Sequence, residues 1–165
     1  MSNEKIINLT VNGASVQFIA PSHRTLLEAL RHEGFVEIKC GCEKGDCGAC
    51  AVLMDGEPID SCLTLAWHAD GHEVVTIKGL GDKGNADPLQ KAFIDTGASQ
   101  CGYCTPGMII AAKALLKENP DPSLDDIKRG LSGNLCRCTG YTRIFEAVEV
   151  AAAEMRGETQ EGEAA

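Results

Sequence analysis

Eight of the nine cysteines in this 165-residue chain fall into two quartets with different spacings. The first is Cys42-x4-Cys47-x2-Cys50, completed by Cys62 after eleven intervening residues. The second is Cys101-x2-Cys104, a gap of thirty-one residues, then Cys136-x-Cys138. Four thiolates per group meet the demand of a [2Fe–2S] cluster, two sulfurs on each iron, and the C-x4-C-x2-C…C order is a recurrent spacing for that cluster. Two such clusters on so short a chain imply the movement of single electrons.

The competing metal is zinc, which also accepts four cysteines. Zinc sites usually come as two short C-x2-4-C knuckles. Here three cysteines share one nine-residue loop, and Gly41, Gly45 and Gly48 let that loop fold tightly with its N–H groups free to approach sulfur. The spacing is of the plant type, and iron is the expected metal. For the second quartet alone zinc is a fairer competitor, because C-x2-C serves both metals. Cys40 has the wrong spacing for the loop and is expected to be a spare thiol. The histidines, His23, His32, His68 and His72, are scattered over the first half, so no pair of them completes a Rieske-type box.

Composition narrows the partners. The net charge is −9 with no basic cluster, which argues against nucleic acid and anionic membrane. No stretch reaches the ~20 apolar residues of a membrane span. The first ten residues include Glu4 and Lys5 and lack the apolar run of a secretory signal. A cytoplasmic location is expected, where thiols bind metal rather than pair as disulfides.

The chain divides by pattern. Residues 6–11 and 16–19 alternate as strands around Asn12-Gly13, a hairpin signal, and Asp55-Gly56 marks a second hairpin between 51–54 and 58–59. Thr25 and Glu28 form a capping box for a short helix ending before Gly34. Residues 74–77 read as a last strand. One helix, several strands and a long metal loop suggest a β-grasp, ferredoxin-like domain.

The second half carries no strand signal. Helices are expected at 88–97, 106–118, 124–132 and 142–155, with Thr105 as N-cap before Pro106, and Ser123 capping with Asp126. Four helices with short loops form an up-and-down bundle in which the first and third loops share an end. Cys101 and Cys104 lie in the first loop, Cys136 and Cys138 in the third, so the pairs should meet beside two helix N-termini that favour thiolate. Gly79 to Gly84 matches G-x-G-x-x-G by letter, but Asp87-Pro88 restarts the chain where a dinucleotide site needs an unbroken helix, so this is a linker.

The expected organisation is therefore α+β: a β-grasp [2Fe–2S] domain over 1–79, a linker over 80–88, a four-helix [2Fe–2S] domain over 89–155, and an acidic, disordered tail over 156–165. Domains of this size have small cores, which a bound metal would supplement. Trp67 and the apolar run after Cys62 read as core or interface packing. No Ser–His–Asp set, P-loop or paired carboxylate marks a centre that makes or breaks substrate bonds.

The segments QCGYCTPGM at Gln100–Met108 and GNLCRCTGY at Gly133–Tyr141, with Gly41-Cys42 and Cys47-Gly-Ala-Cys50, resemble the iron–sulfur subunit of the molybdenum hydroxylases. That family includes xanthine dehydrogenases, aldehyde oxidoreductases, carbon monoxide dehydrogenases and 4-hydroxybenzoyl-CoA reductases. The likeness runs over about residues 4–155. It implies two [2Fe–2S] clusters here, with Cys42, Cys47, Cys50 and Cys62 holding one and Cys101, Cys104, Cys136 and Cys138 the other. It also implies a large subunit with molybdopterin, often the cytosine dinucleotide, and a medium subunit with FAD, assembled as a dimer of heterotrimers. Electrons would pass from molybdenum to the helical-domain cluster, then the plant-type cluster, then FAD. Gln100 and Cys138 occupy the positions that approach the pterin. The chain departs from the family at Cys40, not usually cysteine, and at Ala51, where threonine is common. Arg137, between two cysteines, would raise a cluster's potential by its charge or pair with a partner.

Overall fold

A computed structural model describes residues 3–82 and 84–158. The first half is a five-stranded sheet closed on one side by a helix. Strand β1 (Glu4–Val11) pairs antiparallel with β2 (Ala14–Pro21) through the Asn12-Gly13 turn, whose φ values of 52° and 80° make it the twisted type that right-handed strands need. Alternation decides the faces: Ile7, Leu9 and Val11 are buried, while Ile6 and Ile19 look outward. Helix α1 (Leu26–His32) starts at the Thr25–Glu28 capping box and buries Leu26, Leu27, Ala29 and Leu30 against the sheet.

Strands β3 (Ala51–Met54) and β4 (Glu57–Asp60) form the second hairpin, over Asp55-Gly56. Strand β5 (Glu73–Val75) lies between them and β1, parallel to β1 and antiparallel to β3, so the order is β2-β1-β5-β3-β4. Trp67 is half-buried on this core and donates its Nε1–H to the Ala20 carbonyl at 2.8 Å, a packing role.

The second half is helical: a short α2 (Ile77–Leu80), then α3 (Pro88–Asp95), α4 (Thr105–Glu118), α5 (Leu124–Gly130) and α6 (Thr142–Met155). Leu89, Phe93, Met108, Ile127, Leu131, Ile144 and Val148 fill one apolar cluster among them. Ser123 and Asp126 form the expected capping box of α5. Thr105 is not the N-cap of α4; Cys104 is, and it makes no side-chain cap. The Thr105 hydroxyl donates instead to the Ser99 hydroxyl at 3.1 Å, across the loop that carries Cys101 and Cys104.

Residues 79–88 are partly structured. Helix α2 ends at Leu80, the Asp82 carboxylate accepts from the N–H groups of Gly84 and Asn85, and Asp87 caps α3. No strand follows β5 among the described residues, so the G-x-G-x-x-G letters are not set in a strand–helix–strand unit. The expected tail over 156–165 falls mostly outside the described residues; Arg156 pairs with Asp121 and Glu158 at its start.

The halves meet along α4. Ile110 and Ala114 pack on Leu53 of β3 in a small third cluster, and Lys117 reaches Glu57 at 2.9 Å and the Gly56 carbonyl at 3.1 Å. The apolar seam holds this contact; an exposed pair such as Lys117–Glu57 adds little. No helix among the described residues is long and apolar enough to cross a membrane.

Candidate iron–sulfur centres

The loop between α1 and β3 carries Cys42, Cys47 and Cys50, and the turn after β4 carries Cys62. Cys42 and Cys47 lie half-buried beside one another; Cys50 and Cys62 lie buried beside one another. Backbone N–H groups converge on Cys42: those of Lys44, Asp46 and Cys47 lower its pKa to about 7, the Lys44 bond most, with Asp46 N at 3.2 Å from Sγ. Burial pushes the Cys50 thiol up to about 12. An amide-rich edge and an apolar floor are what a thiolate-bound group of net negative charge requires.

The second quartet joins two loops. Cys101 and Cys104 precede α4, and Cys136 and Cys138 precede α6. The Cys138 and Cys101 sulfurs stand 3.6 Å apart on the exposed side, and Cys104 abuts Cys136 on the inner side. Burial raises the Cys104 thiol to about 12. Burial acts on Cys136 in the same direction, but bonds from the hydroxyl and backbone of Thr139 outweigh it and lower that pKa. The Thr139 hydroxyl is 3.1 Å from the Cys136 sulfur, and the Tyr141 hydroxyl accepts the Cys136 N–H at 2.8 Å.

The sulfurs are grouped in twos. Among the described residues no three His, Cys, Asp or Glu side chains gather as they would around a single ion. A [2Fe–2S] rhomb asks for two sulfurs at each of two irons, so this two-and-two layout fits it better than it fits a tetrahedral zinc.

Cys40 packs beside the core that holds Cys50 and Cys62 but hydrogen-bonds elsewhere. Its thiol donates to the Glu43 carboxylate at 2.8 Å, and that bond, with burial, raises its pKa. Gln100 is exposed next to Cys101, and Arg137 is exposed between Cys136 and Cys138. His23, His32 and His68 are exposed, and His72 pairs with Asp55 at 2.5 Å, away from both quartets.

Pattern reading misses the seam between the quartets. The Leu135 N–H donates to the Cys47 carbonyl at 3.0 Å, and Asn134 Nδ2 donates to the Gly48 carbonyl at 3.0 Å. The Tyr103 hydroxyl donates to the Cys40 carbonyl. Gly107, in the first turn of α4, lies so close to Gly48 that a Cβ there would stand 2.2 Å from its carbonyl oxygen. Each contact binds the loop of the first quartet to a segment bearing the second. Their only sequence signal is that Tyr103, Gly107, Asn134 and Leu135 lie inside or beside the two cysteine motifs.

Comparison with known proteins finds two [2Fe–2S]-binding regions along the chain. Residues 9–74 match a 2Fe–2S iron–sulfur cluster binding domain, and residues 76–149 match a [2Fe–2S] binding domain. The nicotinate dehydrogenase small FeS subunit of Eubacterium barkeri is 46% identical over 150 residues, covering 90% of this chain and 96% of that one. The crystal structure of quinoline 2-oxidoreductase from Pseudomonas putida 86 contains a chain with a TM-score of 0.88 and 44% identity, over 96% of this chain and 100% of that chain. In aldehyde oxidoreductase from Desulfovibrio gigas the match has a TM-score of 0.89 and 41% identity, over 94% of this chain but 18% of that longer one. With two [2Fe–2S]-binding regions in tandem and kinship along nearly its whole length, the chain belongs to the family of small iron–sulfur subunits of the molybdenum hydroxylases.

Proposed function

We propose that this chain is the electron-transfer subunit of a heteromeric molybdenum hydroxylase or dehydrogenase, relaying electrons from a molybdopterin centre through two [2Fe–2S] clusters to FAD. Each cluster, when bound, supplies a one-electron store. Residues 1–79 form the β-grasp, plant-type unit, in which Cys42, Cys47, Cys50 and Cys62 would hold one cluster. Residues 89–155 form the four-helix unit, in which Cys101, Cys104, Cys136 and Cys138 would hold the other. Residues 80–88 connect the two. The observation that carries this reading is the Leu135 N–H···O=C Cys47 bond at 3.0 Å, which runs from the neighbour of one cysteine to the backbone of another in the opposite quartet.

The chain's own residues give the helical centre two unlike sides. Cys101 and Cys138 are exposed beside Gln100, whereas Cys104 and Cys136 are half-buried against the apolar cluster of the helices. The outer pair is therefore the side that meets a partner, with Gln100 and Cys138 toward the pterin and Arg137 setting the local charge. The buried Cys50 and Cys62 exclude water from the strand-side centre. The partners are a large molybdopterin-binding subunit, with the cytosine dinucleotide form of the cofactor, and a medium FAD subunit, in a cytoplasmic dimer of heterotrimers. Substrate chemistry belongs to the large subunit.

Co-purification from the native cell tests this. The expected result is a red-brown complex containing molybdenum and FAD, with two distinct EPR signals on reduction. A chain that runs alone and red-brown, without a molybdenum partner, overturns the subunit reading in favour of a free two-cluster ferredoxin. A colourless chain with stoichiometric zinc overturns the cluster reading. Gln100→Ala is expected to leave both EPR signals and the iron content intact while slowing reduction of the clusters by substrate. Unchanged substrate-driven reduction in that variant removes Gln100 from the pterin contact.

A further inference from the structure

Asn134 is one of few buried polar residues, with 7% of its surface exposed, and its side chain crosses from the helical half to the strand half. Nδ2 donates to the Gly48 carbonyl at 3.0 Å, over 86 positions of sequence, while its backbone N–H is held by the Leu131 carbonyl at 2.9 Å. The accepting peptide lies between Cys47 and Cys50. Gly107, next to the helix start that follows Cys104, also lies close against it. Gly48 itself has no room: a Cβ on it would stand 2.4 Å from Asn134 Nδ2 and 2.6 Å from the Gly133 carbonyl oxygen.

We infer that Asn134 is a positioning residue for electron transfer: with Gly107 it clamps the Gly48 peptide and so sets the spacing between the two cysteine quartets. The inference rests on the electron-relay reading above. Asn134 touches neither cysteine set through its side chain and acts on the relay through the peptide it holds. An electron's tunnelling rate falls exponentially with the gap, so a relay gains from a clamp that resists small separations of its halves. A buried amide facing a buried carbonyl suits this role, because its loss leaves that acceptor without its partner. The adjacent Leu135–Cys47 bond shares the same seam, so opening of the clamp exposes the Leu135 amide.

The test uses the full chain loaded with iron. Asn134→Asp keeps the shape of the side chain and replaces the donor with an acceptor, so it separates the hydrogen bond from mere filling of space. Hydrogen exchange of the peptide containing Leu135 should quicken about tenfold, the change in an opening equilibrium that a loss of about 1.4 kcal/mol produces. The spin–spin interaction between the two reduced clusters should weaken, while each cluster's own signal and the iron content stay as in the parent. Gly107→Ala, whose methyl would stand 2.2 Å from the Gly48 carbonyl oxygen, is the harsher variant and should quicken that exchange further and weaken the coupling more. Unchanged exchange and unchanged spin coupling in an Asn134→Asp chain overturn the clamp. Loss of the clusters or the fold in both variants also overturns it, in favour of a folding role. A parent chain lacking two EPR signals sinks the relay reading instead, and the exchange measurement still reports on the clamp.

Discussion

Replacing Cys136 by serine should remove about half of the bound iron and one of the two EPR signals, and leave the plant-type signal in place. The expectation follows from the sorting of sulfurs. Cys136 abuts Cys104 on the inner side of the helical quartet, and no cysteine of the loop over 42–50 adjoins it. Serine offers an oxygen that is harder and far less acidic than a thiol, so one iron of that pair loses a bond its site was shaped for. The strand half has its own core, from Ile7 to Val74, and gives the plant-type centre support that the substitution does not touch. Cys104→Ser should act alike, because burial already holds that thiol against ionisation and only a metal bond stabilises its charged form. In the complex, reduction by substrate should stop short of FAD, whereas a small chemical reductant should still reduce the surviving cluster directly. If both signals vanish with the fold intact by circular dichroism, the assignment of cysteines to separate centres is wrong.

Local features of this molecule are legible in its sequence, because they are decided by neighbours. The helices expected at 88–97 and 142–155 are α3 and α6, and both hairpin turns have the positive φ values that Asn12-Gly13 and Asp55-Gly56 foretell. The capping boxes of Thr25 and Ser123 close as written. Thr105 goes the other way, because a partner across its loop, the Ser99 hydroxyl, competes for it. The meeting of Cys101 and Cys104 with Cys136 and Cys138 is deducible from bundle topology, though which sulfur faces which is not. Local pattern alone shows neither that β5 inserts between β1 and β3, which comes only with the β-grasp expectation, nor that Asn134 reaches Gly48. Those contacts join distant positions, and a side chain suited to them carries no period or cap that would announce them. The seam that couples the two centres is therefore the part of the site least readable in advance.

That seam also yields a large expected loss of stability. Gly48→Ala should cost about 3–5 kcal/mol, which for a chain of this length lowers Tm by roughly 10 °C. Two effects add. Gly48 has a φ of +66°, where an L-residue pays about 1 kcal/mol. The larger part is collision: the new methyl would meet Asn134 Nδ2 at 2.4 Å and the Gly133 carbonyl oxygen at 2.6 Å, and the second is backbone that cannot swing aside. Relief requires the halves to part, which breaks the bonds from Asn134 and Leu135 to the loop. Gly13→Ala is the control. Its φ is +80°, but nothing lies within 4 Å of the added carbon, so it should pay the conformational cost alone, about 1 kcal/mol. The difference between the two melting shifts measures the tightness of the seam. Equal shifts would mean that the loop and the helical half are not in the close contact on which the coupling of the two centres depends.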